Sequence, residues 1–215
     1  MNTMNKALRK ELIETALAMN ASGLNQGRIG NLSVRVDDGM LITPSGMEYE
    51  RLVEDDIVRM GLDGTVDGAR RPSSEWRFHA AIYRARPEAR AVLHAHPLHC
   101  SALACTHRGI PALHYMIAIA GGCDIRCANY ATFGSEELSS EVLRALEGRT
   151  ACLMAHHGMV CFSDGLGPAL ELGLEVEHLA AIYCKVLAIG GEQVLDDGEM
   201  ARVLEKFSGY RVARD

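Results

Sequence analysis

Apolar residues recur at helical spacing over residues 6–23 and stop at a glycine, which predicts that a helix opens the chain. Apolar and polar residues then alternate over 31–43 and again over 57–66. An Asp-Gly dipeptide in the middle of each segment, at Asp38-Gly39 and at Asp63-Gly64, is typical of a hairpin turn. These strands are therefore expected to pair antiparallel.

Longer helical runs alternate with short apolar strands in the rest of the chain. A helix over 73–89, with serines suited to cap its start, is expected to lead directly into a strand over 91–96. A strand over 150–162, a long helix over 167–189 and a last helix over 197–207 complete the pattern. No linker, low-complexity segment or internal repeat divides residues 1–215, so we expect one α/β domain of layered helices and strands.

Composition removes several classes of protein from consideration. The 215 residues are 48% hydrophobic, enough for one sizeable core, and the formal net charge of -6 leaves no basic stripe for nucleic acid. No apolar run is long enough for a membrane span, and the charged start lacks the hydrophobic region of a signal peptide, so a cytoplasmic protein is expected. Seven cysteines without a Cys-x-x-Cys pair fit small buried residues better than disulfides.

Candidate chemistry enters with the stretch "VLHAHPLHC", residues 92–100. His94 and His96 are two apart on a predicted strand, so both imidazoles would face the same way, a geometry that suits a metal ion. A third ligand is available at His156 or His157, at the end of an apolar run just before Gly158, but alternation cannot choose between the two because the register around the sharp turn at Gly158 is not fixed by the pattern. The alternative is that these are ordinary core histidines, the commoner role for a single imidazole on an apolar face.

Three segments rich in small residues, hydroxyls and amides indicate a second feature, a phosphate site: "GRIGNLSVR", "TPSGMEYE" and "PSSEWRFH". Their backbone N–H groups and short side chains, at the start of a predicted helix, are typical of phosphate binding. The donors are Gly30, Asn31, Ser45, Gly46, Ser73 and Ser74. Taken singly, each segment is equally explained as a turn or a helix cap. Glu75 follows the serines, where it would either favour the helix dipole or act as a base beside the metal.

These segments occur in the same order in a known family. From near its start to Tyr210 the chain resembles the zinc-dependent class II aldolases of the L-fuculose-1-phosphate aldolase type, relatives of L-ribulose-5-phosphate 4-epimerase. The shared motifs are "GLNQG", "GNLSVR", "DGMLITPSG", "PSSEWRFH", "IPALHYMIAIAGG", "YATFG", "HHG" and "RVLEKF". The resemblance implies an α/β fold with a central, mostly antiparallel sheet flanked by helices. It also implies a homotetramer with active sites near subunit interfaces.

The resemblance assigns roles residue by residue. It implies that His94, His96 and His157 bind one Zn²⁺ per subunit, with Mn²⁺ or Co²⁺ as alternatives, and it leaves His99 as a structural residue. Glu75 and Tyr115 match the catalytic residues, Tyr115 reaching a neighbouring subunit's site. The implied phosphate ligands are Asn31, Ser45, Gly46, Ser73 and Ser74, with Gly30 and Arg28 as further candidates, and the implied aldehyde pocket contains Phe133 and Tyr210. Arg28 is a departure, because relatives carry a small hydroxyl residue there.

The implied reaction is retro-aldol cleavage of a phosphorylated sugar, a deoxy-ketose 1-phosphate such as L-fuculose 1-phosphate, to dihydroxyacetone phosphate and a short aldehyde such as lactaldehyde. An alternative substrate is 5-deoxyribulose or 5-methylthioribulose 1-phosphate, which differs only at the aldehyde end. More distant alternatives are a methylthioribulose 1-phosphate dehydratase, a pentulose phosphate 4-epimerase and a non-catalytic module like adducin. Glu75 disfavours the epimerase, which typically has Asp there, and the three histidines disfavour the non-catalytic module.

Overall fold

The fold was described from a computed structural model, which covers residues 3–212 and the side chains of residues 5–209. The helices are α1 (Thr3–Ala21), α2 (Trp76–Ala85), α3 (Leu98–Cys105), α4 (Glu136–Ala145), α5 (Leu166–Ile189) and α6 (Asp197–Val212). The strands are β1 (Asn31–Val36), β2 (Gly39–Ile42), β3 (Val58–Gly61), β4 (Val66–Asp67), β5 (Ala91–Ala95), β6 (Cys127–Ala128), β7 (Ala151–Met154) and β8 (Gly158–Ser163). None of the helices within this part of the chain has the length and apolar character of a membrane span.

The eight strands form one sheet in the order β4-β3-β2-β1-β5-β8-β7-β6. Every neighbouring pair is antiparallel except β6 and β7, which run parallel. The expected α/β class with a mostly antiparallel sheet is therefore confirmed. The histidine-bearing strand β5 lies at the centre, between β1 and β8.

Two apolar cores lie on opposite faces of this sheet. Leu93 belongs to the first core, which is built with residues of α1, α3, α5 and α6, whereas its neighbour Val92 belongs to the second, built with α2 and α4. Successive residues of a strand point to opposite faces, so His94 faces the same side as Val92, toward α2. Phe78 of α2 packs edge-on against the His94 ring, with centroids 5.4 Å apart.

Three local predictions need correction. The segment 150–162 is a hairpin of β7 and β8, not one strand, because its apolar residues continue on both sides of a short turn that alternation does not reveal. The first hairpin turns at Asp37-Asp38, and Gly39 pairs with Val36. Gly39 is the first residue of β2, and a side chain is not tolerated there because a Cβ would lie 2.1 Å from the Met60 carbonyl oxygen on β3.

The third correction concerns the start of α2. Its N-cap position is occupied by Glu75, not by the serines, although the Ser73 hydroxyl accepts a hydrogen bond of 3.3 Å from the Glu75 N–H. Helices α3 and α4 were not predicted at all. In α3 the hydrophobic residues show almost no preference for one face, so it lacks the periodic signal of an amphipathic helix. Helix α4 does carry that signal, together with a Ser135 cap, and was overlooked.

We predict that Gly158→Ala destabilises the fold. A Cβ at this position would lie 2.4 Å from the Ala95 carbonyl oxygen and 2.8 Å from Cδ2 of His96, both on or next to the central strand. Such overpacking costs roughly 1–3 kcal/mol of unfolding free energy, which urea denaturation would measure. Gly167→Ala in α5 is the matched control, because nothing lies within 4 Å of its Cβ position. Equal stability of Gly158→Ala and the unmodified protein would contradict this account of the packing.

Candidate active site

Three histidines and one glutamate converge at one end of the central strands. His94 is the penultimate residue of β5, His96 follows the strand, and His157 lies in the turn between β7 and β8. Glu75 occupies the N-cap of α2. One potential ligand atom from each of the four residues lies within 4.8 Å of all the others. The structure therefore brings together the four residues that the resemblance singled out for the metal and the base.

The imidazoles face one another through their nitrogens. Nε2 of His96 lies 2.8 Å from Nε2 of His94, and the ring of His157 lies 4.8 Å from each of the other two rings, centroid to centroid. Nδ1 of His94 donates to the Met159 carbonyl oxygen at 2.8 Å, so a neutral His94 has an unprotonated Nε2. A backbone acceptor on one ring nitrogen is the usual way in which a metal-binding histidine is oriented.

Glu75 contributes a carboxylate that is almost fully buried. Its Oε2 accepts a hydrogen bond of 3.0 Å from Nδ2 of Asn31 and lies 3.1 Å from Nε2 of His94. Its Oε1 lies 3.2 Å from Nε2 of His157 and has no hydrogen-bond partner. Burial raises the pKa of this carboxyl group, but the adjacent His94 and His157 imidazoles outweigh burial, and the net effect lowers the pKa of Glu75 below its usual range.

The nitrogens and carboxylate oxygens of these groups converge on a common point. Burial lowers the pKa of His96 to about 3, with His94 and His157 acting in the same direction, so the His96 imidazole is neutral at physiological pH. Three imidazoles and an ionised carboxylate that face each other, with one carboxylate oxygen lacking a hydrogen-bond partner, are a donor set that a divalent cation would satisfy. The geometry therefore fits a metal ion.

A pocket of about 350 Å³ opens beside this cluster. Its lining residues are Ile29, Ser74, Glu75, His96, Tyr130, Ala131, Phe133, His156 and His157. The side chains of Ile29, Tyr130 and Phe133 are large, apolar or aromatic, and exposed at the mouth. The pocket thus joins a polar floor to an apolar rim.

His156 and His157 take opposite directions. His156 has a left-handed backbone, φ 54°, and its exposed ring lies with Nε2 2.9 Å from Nε2 of His107. His157 turns inward to the cluster. The backbone at His156 therefore separates the two adjacent imidazoles, which alternation along a strand could not do.

The two serine-containing loops lie side by side. Ser45 N–H donates to the Arg71 carbonyl oxygen at 3.0 Å, and Ser73 N–H donates to the Thr43 carbonyl oxygen at 3.0 Å. Nη1 of Arg28 donates to the Gly46 carbonyl oxygen at 3.1 Å, which ties a third predicted phosphate segment to the same place.

These contacts limit which hydrogen-bond donors a phosphate could use. The N–H groups of Ser45 and Ser73 are already paired, and that of Gly30 donates to Oδ1 of Asn25 at 3.0 Å. These three N–H groups are therefore already used within the protein, and the assignment of their residues to a phosphate stays a prediction. The serine hydroxyls and Arg28 remain as side-chain donors, and of these residues Ser74 lines the pocket.

Other predicted residues lie apart from the cluster. Tyr115 is 52% exposed and does not line the pocket, whereas Phe133, 67% exposed, does. His99 is bound through Nδ1 to Glu177 at 2.8 Å, as suits a structural residue. The side chain of Tyr210 lies outside the described residues.

A cluster of buried polar side chains behind Glu75 was not predicted from the sequence. His79 and Tyr83 follow Glu75 at intervals of four, which places all three on one face of α2, and Asn31 and Ser33 face them from β1. Polar residues at helical spacing within an otherwise apolar helix were the signal that could have identified the group.

Comparison with known proteins identifies a family and several relatives. The family model for the class II aldolase and adducin N-terminal domain matches residues 10–184. The L-fuculose phosphate aldolase of Escherichia coli K12 is 52% identical over 204 residues, covering 94% of this chain and 95% of the relative. A 5-methylthioribulose-1-phosphate/5-deoxyribulose-1-phosphate aldolase of Rhodospirillum rubrum is also 52% identical over 204 residues, covering 95% and 92%. The solved structure of an L-fuculose 1-phosphate aldolase, 41% identical, superposes with a TM-score of 0.91 over 94% of this chain and 96% of that one.

We predict that His157→Ala abolishes stoichiometric binding of a divalent metal, whereas His156→Ala retains it. Only the His157 ring points into the cluster, and His156 is the matched control next to it. Elemental analysis after dialysis against trace zinc would measure the metal content of both variants. Equal metal content in the two variants would show that the cluster is not the binding site.

We also predict that His79 makes stability depend on pH. Burial lowers the pKa of His79 to about 3 from an ordinary value of 6.5. Below pH 6.5 the unfolded chain therefore binds a proton that folded His79 does not, and the free energy of unfolding falls by up to roughly 1.4 kcal/mol per pH unit as pH decreases toward 3.

The His79→Gln variant lacks this titration, so its stability is expected to fall less steeply from about pH 6.5 to about pH 4.5. Urea denaturation of the metal-free proteins across that range is the measurement. Parallel stability curves for the two proteins would be the contrary result.

Proposed function

This chain belongs to the family of class II aldolase and adducin N-terminal domains, and from that premise we propose that it is a metal-dependent aldolase. In this proposal it cleaves a deoxy-ketose 1-phosphate, L-fuculose 1-phosphate or a close analogue, to dihydroxyacetone phosphate and a short aldehyde. The observation that carries the proposal is the convergence of His94, His96, His157 and Glu75 beside a pocket. A non-catalytic member of the family would have no need of such a donor set.

We assign the metal to zinc, with Mn²⁺ and Co²⁺ as alternatives. Three imidazoles and a carboxylate are ligands that zinc accepts, and a site with three protein ligands leaves a position for substrate. When bound, the cation would supply Lewis-acid stabilisation of the negative charge that develops on substrate oxygens as the carbon–carbon bond breaks. No Schiff-base lysine is needed for that chemistry.

Glu75 is the proposed acid and base. Cleavage requires the aldehyde-side hydroxyl to lose a proton, the carbon–carbon bond to break, and a proton to reach the carbon left behind, which becomes part of dihydroxyacetone phosphate. Glu75 lines the pocket, and its Oε1 has no hydrogen-bond partner, so this carboxylate is the group proposed to deliver and remove that last proton. Tyr115 of a neighbouring subunit is proposed to handle the proton on the aldehyde side.

The phosphate is proposed to bind at the paired loops. The hydroxyls of Ser45, Ser73 and Ser74 and the guanidinium of Arg28 lie on three segments that hydrogen bonds hold together. Asn31, which donates to Glu75, is proposed to link this region to the reacting end. Binding energy from the remote phosphate would orient the reacting carbons, which is how non-reacting parts of a substrate raise the rate.

The assembly and location of the protein are part of the proposal. Exposed Tyr115, Tyr130 and Phe133 favour an oligomer in which these side chains are covered, and we propose a homotetramer in the cytoplasm. Phe133 and Tyr210 are assigned to the aldehyde pocket.

A second substrate class is favoured by an observation of equal weight. The Rhodospirillum rubrum relative named for 5-methylthioribulose and 5-deoxyribulose 1-phosphates is as similar to this chain as the Escherichia coli relative is. These substrates differ from L-fuculose 1-phosphate at the aldehyde end, where the pocket rim is apolar. An apolar pocket discriminates by only about 1–3 kcal/mol per methylene group, so both classes remain candidates.

We predict that the zinc-loaded protein releases dihydroxyacetone phosphate from at least one member of a panel of ketose 1-phosphates. The panel would contain the L-fuculose, 5-deoxyribulose and 5-methylthioribulose compounds, with a coupled triose phosphate assay as the readout. The substrate with the highest kcat/KM identifies the aldehyde. Release from none of them would refute the aldolase.

We further predict that Glu75→Gln retains metal but loses activity by a factor of at least about 100, because the amide cannot carry the proton. Metal content and kcat would be measured on the same sample, and Glu88→Gln, an exposed carboxylate after α2, is the control. Full activity of Glu75→Gln would rule out the proposed role.

A further inference from the structure

A chain of buried polar side chains leads from the core to Glu75. Tyr83 Oη lies 2.9 Å from Ser33 Oγ, and Ser33 Oγ lies 2.7 Å from Nδ1 of His79. Nε2 of His79 lies 2.5 Å from Oδ1 of Asn31, whose Nδ2 lies 3.0 Å from Oε2 of Glu75. All five residues are buried, so each contact forms away from competing water.

The direction of every hydrogen bond in this series follows from the charge of Glu75, at which the series ends. An ionised Glu75 can only accept, so Asn31 must present its NH₂ group to it and its carbonyl Oδ1 to His79. Nε2 of His79 must then carry the proton and donate, which leaves Nδ1 to accept from the Ser33 hydroxyl. The Ser33 oxygen in turn accepts from Tyr83.

We propose that His79 is a positioning residue of the aldolase, and that it acts on Glu75 through Asn31. By donating to Oδ1 of Asn31, His79 holds the amide in the orientation that directs its N–H at Oε2 of Glu75. Oε1 is thereby left beside His157, without a hydrogen-bond partner. The inference rests on the proposed function, because Glu75, the residue that His79 positions, is the proposed carrier of the proton.

The physical basis is the two-fold ambiguity of an amide side chain. If the Asn31 amide rotated by half a turn, its carbonyl oxygen would lie against the Glu75 carboxylate, and two acceptors would face each other in a buried site. A protonated Nε2 on His79 opposes that rotation. The depressed pKa of His79, about 3, keeps its ring neutral, with one donor and one acceptor nitrogen.

His79 cannot act on the substrate directly. Its ring is fully buried, and it does not line the pocket. Its influence on turnover must pass through Asn31, and this separates a positioning role from a catalytic one. The effects of substituting His79 and Asn31 on kcat are therefore expected not to be additive.

The first test is a double-mutant cycle. His79→Leu is expected to lower kcat roughly 10- to 100-fold, the range typical for outer partners of metal-site residues, with KM changed less than about twofold. In an Asn31→Ala background the same substitution is expected to lower kcat less than about twofold, because the route is already broken. Losses that multiply, or an unchanged kcat in His79→Leu, would overturn the proposal.

Two further variants separate positioning from packing. His79→Gln keeps a donor near the position of Nε2 and is expected to restore most of the kcat that His79→Leu loses. Ile82→Ala, a buried apolar position on the same helix, is expected to lower the melting temperature without changing kcat. If Ile82→Ala lost as much kcat as His79→Leu, the effect of His79 would be explained by packing alone, which would overturn the proposal.

The second test requires neither a measurement of enzyme activity nor that the His79→Leu variant folds. Long-range ¹H–¹⁵N correlation spectra of the histidine-labelled wild-type protein, with His79→Gln used to assign the signal, report which ring nitrogen of His79 is protonated. Protonation at Nε2 is expected, and protonation at Nδ1 would overturn the proposal. If the wild-type protein cleaved no ketose 1-phosphate, the proposed function would fail. The spectrum would still decide the direction of the hydrogen bonds between His79, Asn31 and Glu75.

Discussion

The whole site depends on ring nitrogens and carboxylate oxygens that are buried and converge on one point. Nδ1 of His94 donates to the Met159 carbonyl oxygen, and its Nε2 faces Nε2 of His96 at 2.8 Å and the Glu75 carboxylate at 3.1 Å. Burying such groups without a partner is unfavourable, and a divalent cation bound among them would offset that cost and supply the charge stabilisation that aldol cleavage needs. In the proposed function, metal binding and chemistry would therefore depend on the same four side chains.

The centre of the sheet provides the rigidity for this arrangement. Asn31 on β1 pairs with His94 on β5, and Ala95 pairs with Met159 on β8, so the register of these strands brings Asn31, His94 and the β7–β8 turn to the same end of the sheet. Beyond the strand, Glu177 of α5 accepts hydrogen bonds from the backbone N–H groups of His99 and Cys100 at the start of α3. That contact anchors the segment immediately after His96. Of the four clustered residues, only His94 lies within a strand, and Glu75, His96 and His157 lie directly next to the ends of α2, β5 and the β7–β8 hairpin strands.

Much of this could be predicted from the sequence, for identifiable physical reasons. Strand alternation placed His94 and His96 on one side, and helical spacing located α1, α2 and α5. Alternation failed at the hairpin around His157, because apolar residues continue on both sides of the short turn at residues 155–157, and the whole segment was read as one strand. It also could not say which of two adjacent histidines points inward, because that is decided by the left-handed backbone of His156.

The measurement that tests the account most directly is X-ray absorption spectroscopy of the zinc-loaded protein. The account predicts a first shell of nitrogen and oxygen at about 2.0–2.1 Å with the multiple scattering of three imidazoles. It predicts no sulfur at about 2.3 Å, although the chain has seven cysteines. A sulfur ligand, or a shell without imidazole scattering, would contradict the claim that His94, His96 and His157 hold the metal.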